Sequence, residues 1–322
     1  MRQFDVPGTV VLIACLSCLL LGLQWGGSTY PWNSVRVIAL LVLACVLAIA
    51  FIFMQIWFST SPQTSATIPA SIVKTPSVWL AASYAMCMTG GLYIAILYIP
   101  IWFQAIQDKS SLGSAMILTP LIAGYVLCSI IAGILTSFAG YYNPAMLIGT
   151  VLTAVGTGLL TTITPDTKIA KWIGYQLLFG CGIGFGFGQP SYVVQTLLPD
   201  RDVPIGVTLI TLIQNLAATI FVTVAQTIFE NNLTTRLHPL IAASDVSDVD
   251  LSLIGSVGAT QLIDQFPASE RPMVLDAYSA ALIYTLYIAL ALSCASVVGT
   301  AFTEWKSMKS SESDVNIDQV EQ

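Results

Sequence analysis

The sequence predicts an all-α, polytopic transmembrane bundle of about eight spans. Of the 322 residues, 56% are hydrophobic and only 9% are charged, whereas a soluble domain carries about 25% charge. The charged residues also leave long gaps, each wide enough for a membrane helix. A barrel does not fit, because runs such as 35–53 are continuously apolar, whereas barrel strands alternate over about ten residues.

The charge-free stretches define the spans in order. A hydrocarbon core of ~30 Å needs about 20 apolar residues, and residues 110–165 are long enough for two helices, separated by the turn-like stretch 140–144 with its proline. The stretches without charge are 6–35, 37–73, 75–107, 110–165, 172–199, 203–229 and 277–303. The predicted spans are 7–25, 35–57, 77–100, 111–137, 144–163, 172–197, 203–229 and 278–301.

Tryptophans support these boundaries, because all seven fall at span ends or in connections, where indole prefers the headgroup layer. They are Trp25, Trp32, Trp57, Trp79, Trp102, Trp172 and Trp305. The first span is predicted to be a retained helix and not a signal peptide, since it follows Asp5, contains Pro7 and lacks a small-x-small cleavage site. Basic residues divide five to six between the two sides, so charge alone leaves the orientation open.

The predicted organisation is two helices in 1–58, a connecting loop in 59–76, a six-helix bundle in 77–303 and a disordered polar tail in 304–322. The bundle is interrupted by a long polar loop, 230–276, with seven acidic residues and two arginines. Asn232 begins an Asn-Leu-Thr sequon in this loop. It is an N-glycosylation candidate if the loop faces the lumen or the exterior.

Several functional classes are excluded by composition. The net charge of −6 provides no basic face for nucleic acid, and His238 is the only histidine available for general-base chemistry. The seven cysteines all lie inside apolar spans, and Cys15 and Cys18 lack further zinc ligands nearby. We therefore predict no enzyme activity, no metal and no cofactor.

Neutral polar side chains are concentrated in the sixth and seventh spans. Buried amides need hydrogen bonds, so these residues either join helices or line a polar cavity, and the sequence leaves both alternatives open. Gln189 and Pro190 are the strongest cavity candidates, because a proline in mid-span frees a backbone carbonyl and can open a bend. The candidates are Gln176, Gln189, Pro190, Gln195, Gln214, Asn215 and Gln226.

Glycines repeat every second residue from Gly180 to Gly188 in the sixth span. The spacing does not fit a dinucleotide-binding loop, because position 187 is Phe and no strand precedes it. On a helix, Gly180, Gly184 and Gly188 share one side. We expect this strip to pack closely against a neighbouring helix.

Several motifs resemble fungal fourteen-span drug:proton antiporters of the major facilitator superfamily, with mycotoxin and other secondary-metabolite exporters most similar. They cover nearly the whole chain. The motifs are residues 24–32 between the first two spans, 171–176 before the glycines, 189–190 and 194–196 after them, and 204–206, 214–215 and 225–226 in the seventh span.

The resemblance implies that the first two helices are the family's central pair, that the other six form its C-terminal bundle, and that the N-terminus is cytoplasmic. The family's N-terminal bundle, with its antiporter motif, is missing, and Phe138 stands where the family often has a basic residue.

The implied function is efflux of a small amphipathic drug, toxin or metabolite, coupled to protons when the N-terminal half is present. The implied partners are the lipid bilayer, the small-molecule substrate and the missing half, and the implied location is the plasma membrane or an internal membrane. The alternatives are a truncated, transport-inactive fragment that acts at most as an interaction partner, or a self-contained eight-helix channel.

Overall fold

The structure is a computed structural model that describes residues 6–27, 29–60, 69–107, 109–165, 167–243 and 271–307. These residues are mostly helical. The helices are α1 (Val6–Trp25), α2 (Val35–Thr60), α3 (Ala70–Lys74), α4 (Pro76–Gln107), α5 (Ser111–Met116), α6 (Thr119–Ala139), α7 (Asn143–Leu160), α8 (Ile169–Gly186), α9 (Gln189–Leu197), α10 (Val203–Ala243) and α11 (Arg271–Phe302).

Eight segments of the described chain are long and apolar enough to cross a membrane. This confirms the prediction of about eight spans. The fourth candidate span joins α5 to α6, and the sixth joins α8 to α9, so these two spans are interrupted helices. In the 18-residue apolar segment of each helix, 67% of the residues of α4 but only 17% of those of α10 are buried by protein. Helix α4 is therefore central and α10 peripheral.

Helices α10 and α11 extend into the predicted polar loop. α10 continues to Ala243 and α11 begins at Arg271, so residues 230–243 and 271–276 of the predicted polar loop are helical. The extension is stabilised by side chains one turn apart: Phe229 is 8% exposed and Leu233 and Leu237 are fully buried. In the sequence, the charged residues around these three buried side chains made the segment resemble a loop. The rest of the predicted loop and most of the predicted tail lie outside the described residues.

The chain forms two compact units, Met1–Pro76 with Leu198–Thr208, and Ser77–Leu197 with Leu209–Gln322. In the first unit, α1 packs on α2, and a tight turn connects them. Gly27 adopts a φ of +82°, which favours glycine, and a Cβ on Gly26 would lie 2.6 Å from the Trp32 ring. The Ser71 hydroxyl donates to the Asp202 carboxylate at 2.6 Å in the same unit.

In the second unit, small hydroxyl side chains connect α7 to α11. The Thr150 and Thr300 hydroxyls are 3.1 Å apart, and those of Thr157 and Ser293 are 3.3 Å apart. Interhelical bonds of this kind each contribute roughly 1 kcal/mol in membranes. Trp102, near the end of α4, is 5% exposed and donates to the Ser279 hydroxyl at 3.0 Å. Its indole ring is therefore enclosed by protein.

The beginning of α7 is tied to the end of α11 by two hydrogen bonds. The Tyr142 hydroxyl donates to the Glu304 carbonyl, and the Asn143 amide donates to the Thr303 carbonyl at 3.2 Å. Burial raises the pKa of Tyr142 to about 12, and the Glu304 charge adds to the shift while the Lys306 backbone N–H opposes it. The phenol therefore remains a neutral donor at physiological pH.

Tyr142→Phe is expected to lower the free energy of unfolding by about 1 kcal/mol, the usual value of one hydrogen bond. The pKa of Tyr142 is raised from its ordinary value of 10 to about 12. The wild type should therefore lose stability as pH rises from 10 to 12, because the unfolded phenol ionises first. Thermal unfolding of the detergent-purified protein measures both effects. Tyr141→Phe is the control, and an equal loss in both variants would contradict the assignment.

Candidate functional site

The interrupted sixth span is held by glycines that face two different helices. A Cβ on Gly180 would lie 2.1 Å from the Leu121 carbonyl oxygen of α6, and one on Gly184 would lie 2.5 Å from the Tyr125 carbonyl oxygen. On the adjacent side, a Cβ on Gly182 would lie 2.3 Å from the Thr153 nitrogen of α7. Since real Cβ atoms do not approach so closely, only glycine allows α8 to fit between α6 and α7.

Gly188 does not pack against a neighbouring helix, contrary to the prediction from the sequence. Nothing lies within 4 Å of its Cβ position, and it is exposed. The reason is that α8 ends at Gly186 and α9 begins only at Gln189, so Gly188 no longer follows the spacing of Gly180 and Gly184. Pro190, in the first turn of α9, cannot donate a backbone hydrogen bond, which is consistent with an interruption at this point.

Gln189 is positioned by this interruption against α6. It is 1% exposed, and its Oε1 accepts a hydrogen bond of 3.2 Å from the Thr136 hydroxyl. Pro190 is buried beside it. Both residues therefore lie inside the bundle in this conformation, and Gln189 connects two helices.

Gln176, one turn before Gly180, is fully buried. Neither its amide nitrogen nor its amide oxygen has a hydrogen-bond partner among the described residues. Leaving such groups unpaired costs roughly 1–3 kcal/mol each. Such a group in a native core calls for an explanation, such as a functional role or a buried water molecule.

The other amide candidates are more accessible. Gln195 and Asn215 are exposed, and Gln214 is half-buried. The Gln226 amide donates at 3.0 Å to the Glu230 carboxylate one turn along α10. The sequence analysis placed Glu230 in a loop, but the structure places this half-buried carboxylate inside the candidate span Val203–His238.

Asn232 also lies in α10, where its amide donates to the Ile228 carbonyl at 3.0 Å. The sequon is therefore helical and half-buried, and not on an open loop. Glycosylation at Asn232 stays a prediction.

Aromatic side chains surround the interruption. Phe187 and Tyr125 meet edge to face, with ring centroids 5.7 Å apart. The Tyr192 hydroxyl of α9 approaches the position of a Gly133 Cβ to 3.6 Å. We call Tyr125, Phe187 and Tyr192, which lie along α6 and the break between α8 and α9, the aromatic face. All three are half-buried.

The sequence analysis missed this aromatic face. A usable signal was present, because Tyr125 lies well inside its span, whereas tyrosines facing lipid concentrate at the membrane surface. A phenol in mid-span requires a polar or aqueous neighbour. Chemically, the face offers flat apolar surface and a few neutral hydrogen-bonding groups, and it has no described metal-binding group of His, Cys, Asp or Glu.

The eight long apolar segments define an integral membrane protein. An efflux pump of Penicillium rubens is 40% identical over 309 residues, which are 96% of this chain and 56% of that protein. A thioclapurine efflux transporter of Claviceps purpurea is 41% identical over 94% of this chain and 54% of its own length. A rubrofusarin-specific efflux pump of Gibberella zeae is 38% identical over 97% and 55%, respectively.

Fungal secondary-metabolite efflux pumps of the major facilitator type are therefore homologues of this chain. It spans about half the length of the curated relatives it matches. The solved structure of a bacterial homologue of the human lysosomal transporter Spinster, inward-facing and unoccupied, has a TM-score of 0.55 and 11% identity, and the match covers 90% of this chain and 64% of that one. This likeness concerns the fold. No family model matches the chain.

Proposed function

We propose that this chain works as one bundle of a major facilitator efflux transporter for a small amphipathic molecule. The observation that carries the proposal is the identity of about 40% to named efflux pumps over nearly all of this chain, which covers about half of each of them. In this superfamily two bundles rock around a substrate held between them. We therefore infer that the chain supplies two central helices and one six-helix bundle, and that a second bundle completes the pathway.

The aromatic face is the proposed contribution of this chain to the substrate pathway. Tyrosine and phenylalanine rings bind flat apolar ligands by stacking and edge contacts, while the hydroxyls supply a few oriented hydrogen bonds. The neighbouring break between α8 and α9 fits this role, because broken helices in transporters expose backbone polar groups only where they line a cavity. Gln195, Gln214 and Asn215 are accessible enough to contribute amide contacts.

Energy coupling is proposed to depend mainly on the second bundle. The aromatic face contains no residue that ionises near neutral pH, and α10 carries a single carboxylate, Glu230, within its candidate span. A proton-driven exchange needs a titrating group that faces the pathway. The plasma membrane is the proposed location, because export of a metabolite from the cell requires it.

The proposal is tested in yeast cells that lack their own exporters. The chain is expressed alone, or together with the part of the Penicillium relative that it does not match, and accumulation of candidate fluorescent amphiphiles is measured. We expect lower accumulation only when both parts are present. Equal accumulation in the two strains would contradict transport and favour a transport-inactive fragment. Ion currents from the purified chain alone would favour the channel alternative.

Tyr125→Ala is expected to reduce efflux in the two-part strain by about tenfold, since it removes about 1–1.5 kcal/mol of ring contact that the pathway needs. Ile134→Ala is the matched control on α6. Ile134 is 51% exposed, and nine residues at 100° each place it on the opposite side of the helix. Protein in the membrane is quantified for both variants. Equal efflux by both variants would remove Tyr125 from the pathway.

A further inference from the structure

A groove of about 760 Å³ lies on the second unit, and no residue of the aromatic face lines it. Its walls come from the second half of α10, the first third of α11 and the connection that follows α7. The lining includes Thr164, Arg236, Met273, Asp276, Ala280 and Ile283. Nothing in the proposed transport pathway uses this groove.

The groove contains one cation and one anion. Arg236 and Asp276 are both exposed, and no ion pair joins them in the described part of the chain. The Arg236 guanidinium lies over the Tyr284 ring, 5.4 Å from its centroid. This cation–π contact orients the guanidinium without neutralising it. Both charges are therefore available to a ligand.

The two ends of the groove differ in polarity. Met273 and Ile283 are ten residues apart on α11, which corresponds to about 15 Å along the helix. Asp276 is the last charged residue before the charge-free stretch 277–303, and Thr164 lies in a connection between spans. The end with Thr164 and Asp276 is thus near the membrane surface, whereas the end with Ala280 and Ile283 extends into the hydrocarbon layer. The Arg236 guanidinium reaches between the two ends toward Tyr284.

We propose that this groove binds phosphatidylethanolamine. The Arg236 guanidinium would hold the lipid phosphate, the Asp276 carboxylate would accept hydrogen bonds from the primary ammonium, and an acyl chain would lie along Ala280 and Ile283. A lipid is favoured over a soluble anion for two reasons. Asp276 would repel a ligand that carries only negative charge, and the apolar end provides surface that a small polar ligand does not need.

The test uses the full chain purified in detergent and titrated with phosphatidylethanolamine, with binding followed by native mass spectrometry. Arg236→Gln and Asp276→Asn should each raise the Kd by about tenfold. Asp276→Asn should also abolish the preference over phosphatidylcholine, whose quaternary ammonium cannot donate hydrogen bonds. Lys109→Gln is the control for Arg236→Gln. It also removes one positive charge at the same end of the bundle, but it lies outside the groove. It should leave the Kd unchanged.

Two further variants and a competition experiment test the proposal. Arg236→Lys retains the charge and should bind more strongly than Arg236→Gln, while Ala280→Phe fills the apolar end and should weaken binding with both charges intact. Wild-type affinity in Arg236→Gln and Ala280→Phe, with folding checked by circular dichroism, would overturn the site. Glycerophosphoethanolamine has the same head group without acyl chains and should not compete. Competition at equal concentration would overturn the lipid assignment in favour of a soluble phosphate ester.

Discussion

Gly180→Ala is expected to destabilise the bundle by about 3 kcal/mol or more, the upper end of the usual cost of overpacking a core. The added methyl group would lie 2.1 Å from the Leu121 carbonyl oxygen and 2.9 Å from its carbon. These are backbone atoms, so no side-chain rotation can relieve the clash. α6 and α8 would have to separate, and the contacts along their whole interface would weaken.

The measurement is thermal unfolding in detergent together with the fraction of monodisperse protein after purification. Two matched controls are available in the same span. Gly174 and Gly188 have nothing within 4 Å of their Cβ positions. Alanine at either position should be tolerated, and at Gly174, inside α8, it should stabilise slightly through higher helix propensity. Similar losses in all three variants would show that the glycines act through helix propensity or chain flexibility and not through the α6–α8 contact.

Gln176→Met is expected to change stability in the opposite direction, with a gain of about 1–3 kcal/mol. Gln176 is fully buried and both of its amide atoms lack a protein partner among the described residues. Methionine has a similar shape and flexibility and needs no hydrogen bonds. Unfolding in a denaturant series would report the gain as a higher midpoint.

Gln189→Met is the matched comparison. It makes the same chemical change at a buried amide, but this amide accepts a bond from Thr136, so we expect a loss of about 1 kcal/mol. A loss in Gln176→Met as well would show that its amide is satisfied, for example by buried water. A gain in stability accompanied by lower efflux in the two-part strain would indicate that Gln176 is retained for transport, since functional sites often sacrifice stability.

The candidate site was only partly predictable. The sequence located the polar residues in the correct spans and identified the interruption near Gln189 and Pro190, because amides and a proline within apolar runs are conspicuous. It could not separate Gln189, which bonds to α6, from Gln195, which is exposed. The prediction that Gly188 packs against a neighbouring helix, as Gly180 and Gly184 do, was wrong. It assumed a regular helix across a point where the helix breaks.

The sequence by itself determined the membrane setting and the number of spans, because the distribution of charge along a chain decides which segments can enter lipid. Only the tertiary structure decided which side of each helix is buried, how far α10 extends, and that Phe187 meets Tyr125 edge to face. The physical reason is that a membrane helix is apolar toward the lipid as well as toward the bundle. Hydrophobicity therefore marks such a helix without indicating its inner side, and close packing of small residues makes that choice.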